Sequence, residues 1–374
     1  MTDLKTISCP FCSLHCSDLH LHLDGDRLTQ VTPTCSLAQK MYPFALDALA
    51  ASREFSSSYK LNQAITWSRG SARKLVILCG NLYQEAIENA VKFARKQNAI
   101  LVCEEDFSGS ILSLVMKQTG LLSATLGEMK QVVQQIVCCT KSFPDSLPRI
   151  ANFLGYQLLN QAVYLPVEHT LEILQKLRLK QELLPERLFE INQKIQTSEC
   201  GLVLFDKDWL EEDPQITTEL LLWLNELNAG KHWYGLIIPP AANSLGIVER
   251  LLDLTGYPGN IRFQSDSVHY HPRTGCLRRL LHNSQVDICY ILGTPQFLSE
   301  EDYRQLEKFP TIVLGPTFPK WKSSIWLPTA QAGIDCTGTA LRLDGVPVTF
   351  EPITDNHRQT IEDLLQVINR EGNA

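Results

Sequence analysis

The 374-residue chain has no apolar run near the roughly 18 residues that a membrane-spanning helix needs, which excludes an integral helical membrane protein. It has no surplus of positive charge either, since 34 Lys and Arg stand against 41 Asp and Glu for a net charge of −7. Phosphate binding needs concentrated Lys and Arg, and here the basic residues are scattered among acidic ones, so no nucleic-acid partner is expected. The basic stretch 178–194 also carries Glu182, Glu186 and Glu190 and reads as a solvated helix face. No G-x4-G-K-[ST] loop occurs, which excludes nucleotide hydrolysis of the P-loop type. No G-x-S-x-G elbow occurs, and no His or Asp spacing points to a triad, so no catalytic residue is assigned. Internal repeats and low-complexity tracts are absent. The first nine residues include Asp3 and Lys5 and lack the apolar core and cleavage site of an export signal, so the cytoplasm is the expected compartment.

What is present is an ordinary globular composition, 44% hydrophobic and 20% charged, in a chain long enough for two or three packed domains with a sizeable core. Twelve cysteines in a reducing compartment are not a disulfide framework. Cys79, Cys138, Cys139 and Cys289 lie in apolar runs, where cysteine acts as a small hydrophobe.

The section up to Pro43 reads as small and irregular, with a short hairpin around Asp24-Gly25. After a Ser-rich link at 56–58, β-branched runs alternate with helical periodicity: a strand at 75–80, a helix at 84–96, a strand at 99–103, a helix near 110–118 and a strand at 135–139. A long helical stretch over 154–196 follows. The alternation resumes with strands at 201–205 and 233–240 and helices at 215–227 and 244–254. Beyond a Pro/Gly-rich stretch come strands at 287–293, 311–315 and 324–328. This pattern predicts an α/β fold with parallel sheets, two doubly wound Rossmann-like lobes behind a small N-terminal cysteine-rich domain. The expected boundaries are 1–55 for that domain, 60–150 with 310–374 for the first lobe, and 151–309 for the second.

Ligands of open α/β sheets lie beyond the carboxyl ends of the strands. The candidate binding loops are therefore Gly80-Asn81, Thr140-Lys141, 241–243 ending in Asn243, Gly293-Thr294 and Gly315-Pro316. A Gly or Pro after a strand is also the ordinary turn signal, so each loop alone is a weak pointer.

The strongest chemical signal is C-x2-C-x3-C-x18-C through Cys9, Cys12, Cys16 and Cys35. Three thiolates can converge from one loop and the fourth from beyond the hairpin, a donor set for a four-iron, four-sulfur cluster or a structural zinc. The x2, x3 rhythm favours the cluster, and an empty vestigial site is the third reading. His15, His20 and His22 read as surface residues of the hairpin, because four cysteines already complete a site. His269 and His271 read as a polar loop after a strand, with no acidic or cysteine partner at ligand spacing.

The N-terminal cysteine motif ahead of two α/β lobes resembles the molybdopterin oxidoreductase superfamily, and within it the B-type chain of formylmethanofuran dehydrogenase. The residues that carry the resemblance are the run at 9–21 with Cys35, TLGEMK at 125–130, YPGNIRF at 257–263, HPRTG at 271–275 and the block at 333–348 with its G-T-A, Arg342, Asp344 and Val346-Pro347 pattern. The resemblance implies a molybdopterin guanine dinucleotide with tungsten or molybdenum, a nearby iron–sulfur cluster, and carbon dioxide chemistry coupled to a furan carrier. With the loops above, the candidate cofactor-binding set is Gly80, Asn81, Asn243, Gly293 and Thr294, to which the resemblance adds Ser108. The family's metal-ligating cysteine and adjacent histidine fall on Ser108 and Gly109, which cannot replace a thiolate or an imidazole, and Cys103 lies inside the preceding strand. The glycine turn after the next strand is replaced by 139–142. These losses argue against a working tungsten or molybdenum centre. They match a bacterial branch, the formyltransferase/hydrolase complex, in which this chain resembles a scaffold for A-, C- and D-type sister subunits in tetrahydromethanopterin- and methanofuran-linked one-carbon metabolism. The competing readings are an active metal–pterin dehydrogenase component using Cys103, an electron-transfer module and an α/β binding protein with a zinc knuckle.

Overall fold

The computed structural model describes residues 3–24, 27–53, 57–104, 121–140, 147–166, 169–179, 186–206, 209, 215–265, 267–272, 274–283, 285–319, 324–355 and 358–372. In chain order the strands are β1 (Asp3–Ile7), β2 (Leu19–Asp24), β3 (Arg27–Thr32), β4 (Lys74–Leu78), β5 (Ile100–Cys103), β6 (Gln135–Cys139), β7 (Val163–Tyr164), β8 (Cys200–Asp206), β9 (His232–Ile238), β10 (Ile261–Gln264), β11 (Ser267–Tyr270), β12 (Ile288–Leu292), β13 (Thr311–Gly315), β14 (Ser324–Pro328), β15 (Gly338–Leu341) and β16 (Pro347–Phe350). The chain divides into two compact units, 1–106 with 241–341 and 347–374, and 107–240 with 342–346.

The first unit contains the antiparallel sheet β1-β2-β3 and a seven-stranded sheet ordered β11-β10-β5-β4-β12-β13-β14. Strands β5, β4, β12, β13 and β14 run parallel. They read as near-continuous apolar runs because both faces are covered. Val76, Leu78, Tyr290, Leu292, Ile312 and Leu314 meet the helices Gln84–Lys96, Ser244–Thr255 and Ile361–Gly372. Leu75, Ile77, Ile291, Val313 and Trp326 point to the opposite face, toward the helix Leu277–His282 and Leu306. From β4 the chain proceeds outward to β5, and from β12 outward to β13 and β14. The order therefore reverses between β4 and β12, a topological switch point with a crevice at its carboxyl end.

The second unit is built on the all-parallel sheet β7-β6-β8-β9. Gly201 in β8 is required by packing, since a Cβ there would overlap the Trp233 ring. The helix at 126–132 starts with a capping box: the Thr125 hydroxyl accepts from Glu128 N–H, and the Glu128 carboxylate accepts from Thr125 N–H. Its Leu126 N–H donates at 2.7 Å to the Asp344 carboxylate, which Arg342 holds in a bidentate pair at 2.7 and 2.8 Å. Residues 125–128 and 342–344 thus meet in one polar junction.

The parallel α/β architecture agrees with the sequence reading, and the boundaries differ from it. Strand β6, placed by sequence in the first lobe, belongs to the second unit, and 241–309, placed in the second lobe, belongs to the first. The reason is non-local pairing: β4 takes β12 as neighbour, with Leu75 opposite Cys289, so chain adjacency does not decide sheet membership. The helical stretch 154–196 is interrupted by β7, which pairs with β6. The Pro/Gly-rich stretch contains the antiparallel hairpin β10–β11, whose alternation covers only four residues per strand. Pro43 lies inside the helix Ser36–Arg53 instead of ending a segment. Ala38, Tyr42, Ala45 and Leu49 form a buried stripe at helical spacing, and that burial outweighs the hydrogen bond a helical proline forfeits. The helix expected near 110–118 lies outside the described residues.

Burial pushes the Asp344 carboxyl up, but the Arg342 guanidinium and the Leu126 and Val346 N–H groups outweigh it and hold it below its ordinary 3.8. A depressed carboxylate contributes stability that is full above pH 3.8 and is lost as pH falls through the lower folded value. Asp344→Asn should therefore lose about 3 kcal/mol in urea unfolding at pH 7, by breaking a buried pair. The difference from the parent chain should shrink on acidification; a pH-independent difference would contradict the pairing.

Candidate functional site

The crevice at the switch point is formed by the loops that leave β4 and β12. Gly293 adopts φ +94°. A Cβ at this glycine would lie 2.6 Å from Asn81 Oδ1. The close approach lets Thr294 N–H donate to Asn81 Oδ1 at 3.2 Å. The Thr294 hydroxyl pairs at 3.2 Å with that of Thr317, which follows β13. On the other side the buried Asn243 is held by three hydrogen bonds to two segments. Its N–H donates to Gly80 C=O at 2.8 Å, its side-chain amide donates to Leu82 C=O, and its Oδ1 accepts from Leu341 N–H at 3.0 Å. The structure therefore gathers Gly80, Asn81, Asn243, Gly293 and Thr294 at one crevice. Ser108 lies outside the described residues. Asn243 differs from a free ligand-binding side chain, because its amide is committed to the backbone.

The adjoining cleft, about 60 Å³, has a polar wall of Asn81, Thr294, Gln296, Thr317 and Gln331 and an aromatic wall that includes Phe11, Phe44 and Phe350. Among the described residues, no Lys, Arg, Asp or Glu lines it. Two buried charges shape it from behind. Glu104, at the end of β5, accepts from the N–H groups of Gln296, Phe297 and Leu298 at 2.5, 2.6 and 3.2 Å. Burial raises the Glu104 carboxyl, and the N–H groups of Phe297, Gln296 and Leu298 together with the Cys79 thiol oppose the rise. The turn after β12 could otherwise cradle an oxyanion; here the chain's own carboxylate fills it. Asp335 pairs with Arg358 at 2.7 and 3.0 Å and accepts from Gln331 N–H at 2.8 Å, while Arg358 donates to Pro316 C=O at 3.0 Å. Sequence reasoning missed Glu104, Asp335 and Arg358. Their partners are distant along the chain, and an acidic residue after a strand carries no local signal.

The cysteine loop borders the same cleft through Pro10, Phe11 and His15. Its ends are tied by Cys9 N–H to Cys16 C=O at 2.9 Å. Cys9, Cys16 and Cys35 are buried and Cys12 half-buried, and none of the twelve cysteines of the chain is in a disulfide. Burial pushes the Cys9 thiol well up, and the neighbouring Cys12, Cys16 and Cys35 add to the rise. The donors suit a thiolate-ligated group chemically. As placed they do not form a ligand set: among the described residues no three His, Cys, Asp or Glu side chains could hold a metal ion. His15 is buried, at 1% exposure, with its ring edge-on to Phe350, and is not the surface residue expected. His20 and His22 are half-buried and reach the hydroxyls of Thr6 and Thr32. Cys103 stays in β5, as expected. Among the described residues no helix is long and apolar enough to cross a membrane.

The fold and crevice define a doubly wound α/β protein with a small antiparallel sheet whose β1–β2 loop carries Cys9, Cys12 and Cys16. No family model matches the chain. The B chain of tungsten-containing formylmethanofuran dehydrogenase 2 from Methanocaldococcus jannaschii is 26% identical over 125 residues, which is 32% of this chain and 29% of that protein. The chain thus spans under a third of that relative's length. A chain of the X-ray structure of the formyltransferase/hydrolase complex (FhcABCD) from Methylorubrum extorquens, in complex with methylofuran, superposes with a TM-score of 0.72. It covers 85% of this chain and 96% of that chain at 13% identity. The two proteins are those whose families the sequence blocks resemble.

Glu104→Ala should remove the acceptor of three backbone donors and cost about 3 kcal/mol in denaturant unfolding. Glu104→Gln, which keeps one acceptor, should cost less; equal losses would show that the carboxylate does not organise the turn.

Proposed function

We propose that this chain is the B-type component of a formylmethanofuran dehydrogenase-like assembly, cytoplasmic and non-redox, which holds formyltransferase- and hydrolase-type sister subunits (the A, C and D types) together around a furan-carrier reaction. The observation that carries the reading is the likeness over nearly the full length of a chain in the formyltransferase/hydrolase complex. The crevice supports a role without metal chemistry. A dinucleotide pyrophosphate needs cations or free N–H groups; among the described residues the cleft of the first unit offers no Lys or Arg, and Glu104 occupies the N–H groups of the turn after β12. The residues of this cleft therefore do not fit a molybdopterin guanine dinucleotide. Ser108 and Gly109, at the positions where the family carries Cys and His, agree with this in chemistry.

One observation favours a second reading. Four thiols lie within electrostatic reach of one another in the cysteine loop, the donor chemistry of a four-iron cluster in an electron-transfer module. On the scaffold reading the cluster has no electron path to serve.

The natively purified protein should retain its sister subunits on a sizing column and contain neither tungsten nor molybdenum nor releasable pterin in stoichiometric amount. It should not reduce viologen dyes with formate. Stoichiometric heavy metal with pterin, or formate-dependent dye reduction, would restore the dehydrogenase. Four iron and four sulfide per chain with a reversible low-potential signal would move the assignment to the electron-transfer reading.

A further inference from the structure

A second cleft in the first unit is independent of the switch-point crevice. It measures about 220 Å³ and is lined by Ile100, Asn260, Arg262, His271, Thr274, Gly275, Leu280 and Gln285. Its floor is apolar: Ile100 and Leu280 are buried in the layer beneath the sheet. Its wall is polar and, among the described residues, includes no carboxylate, although acidic residues outnumber basic ones in the chain as a whole. We infer that this cleft binds a small phosphate-type oxyanion, free or as the monoester of a small metabolite.

The sequence builds the wall in a definite way. In β10, Ile261 and Phe263 are buried and Arg262 and Gln264 are exposed, so strand alternation projects Arg262 away from the buried layer that holds Ile261 and Phe263. Arg262 stands directly opposite His269 of β11. The His269 and His271 rings lie 6.3 Å apart. Guanidinium and two imidazoles thus share one face, and among the described residues no ion pair neutralises Arg262. The His269 ring also meets the Ser267 hydroxyl at 2.9 Å.

The backbone fixes the remaining groups. Asn260 adopts φ +51°, and its C=O accepts from His271 N–H at 3.0 Å. Gly275 N–H closes the turn on His271 C=O at 2.8 Å. A Cβ on Gly275 would lie 2.7 Å from that oxygen, so the turn requires glycine. Thr274, Asn260 and Gln285 thus line the same cleft as Arg262 and His271, residue types that put neutral donors beside a fork-shaped cation. Planar guanidinium is suited to bidentate recognition of oxyanions, and the neutral donors complete the shell. The sequence blocks 257–263 and 271–275 meet here; Arg273 lies outside the described residues.

The test is equilibrium titration of the full chain with inorganic phosphate at constant ionic strength, followed by calorimetry and by the imidazole resonances of His269 and His271. Saturable binding that moves the His271 signal is expected, with affinity at least tenfold weaker in Arg262→Gln and clearly weaker in Thr274→Val. Arg262 is exposed, so its variant should keep the parent melting temperature, which separates loss of binding from loss of fold. Glycerol phosphate in place of phosphate distinguishes the sources: equal affinity assigns the cleft to the free anion, and tighter binding to a monoester. Absence of saturation, or binding that Arg262→Gln leaves unchanged, would overturn the assignment.

Discussion

The hydrogen bonds of Asn243 are the constraint on which the crevice depends. One buried side chain joins the loop after β4, through Leu82, to strand β15, through Leu341, while its backbone N–H takes Gly80. A Cβ on Gly246, one helical turn on, would overlap the Asn243 amide, so the helix Ser244–Thr255 can approach only because that position is glycine. Buried amides must find partners, and two segments far apart in sequence satisfy this one. The crevice walls are placed by this requirement as much as by apolar packing of the sheet.

The same requirement governs the charges behind the crevice. Glu104 and Asp335 each answer backbone N–H groups of a loop that leaves the sheet, and Arg358 answers both Asp335 and the carbonyl of Pro316. Loops at the carboxyl ends of parallel strands usually turn such groups toward a ligand. Here the chain satisfies them itself, leaving a cleft of amides, hydroxyls and aromatic rings. Burial likewise pushes the Cys9 thiol up, with the neighbouring cysteines of the loop adding to the rise.

The blocks that carry the family resemblance turn out to be junctions. Thr125 to Glu128 and Arg342 to Asp344 share the Leu126 cap, and Asn260, Arg262, His271 and Thr274 share one cleft. Each demands particular residue types because a backbone group, a turn or a charge must be met there. Such demands are structural, and they hold whatever the crevice binds.

Much of the α/β pattern was legible in the sequence alone. The apolar runs of β4, β5, β6, β8, β9, β12, β13 and β14 and the helices Gln84–Lys96, Ile216–Leu227 and Ser244–Thr255 follow from local periodicity, which needs no knowledge of the rest of the chain. So do the glycine and asparagine positions of the crevice, since turns after strands have their own residue chemistry. Tertiary structure alone decided which strands share a sheet, because β12 beside β4 is a pairing across some 200 residues for which local pattern carries no information. It decided the hairpin β10–β11, too short to outweigh its Pro/Gly-rich surroundings, and the passage of a helix through Pro43, where a buried stripe prevails over propensity. It also decided the burial of His15 and the roles of Glu104, Asp335 and Arg358. Glu104 meets Gln296 across 192 residues, and a side chain's partner at that distance is fixed only once the sheet has formed.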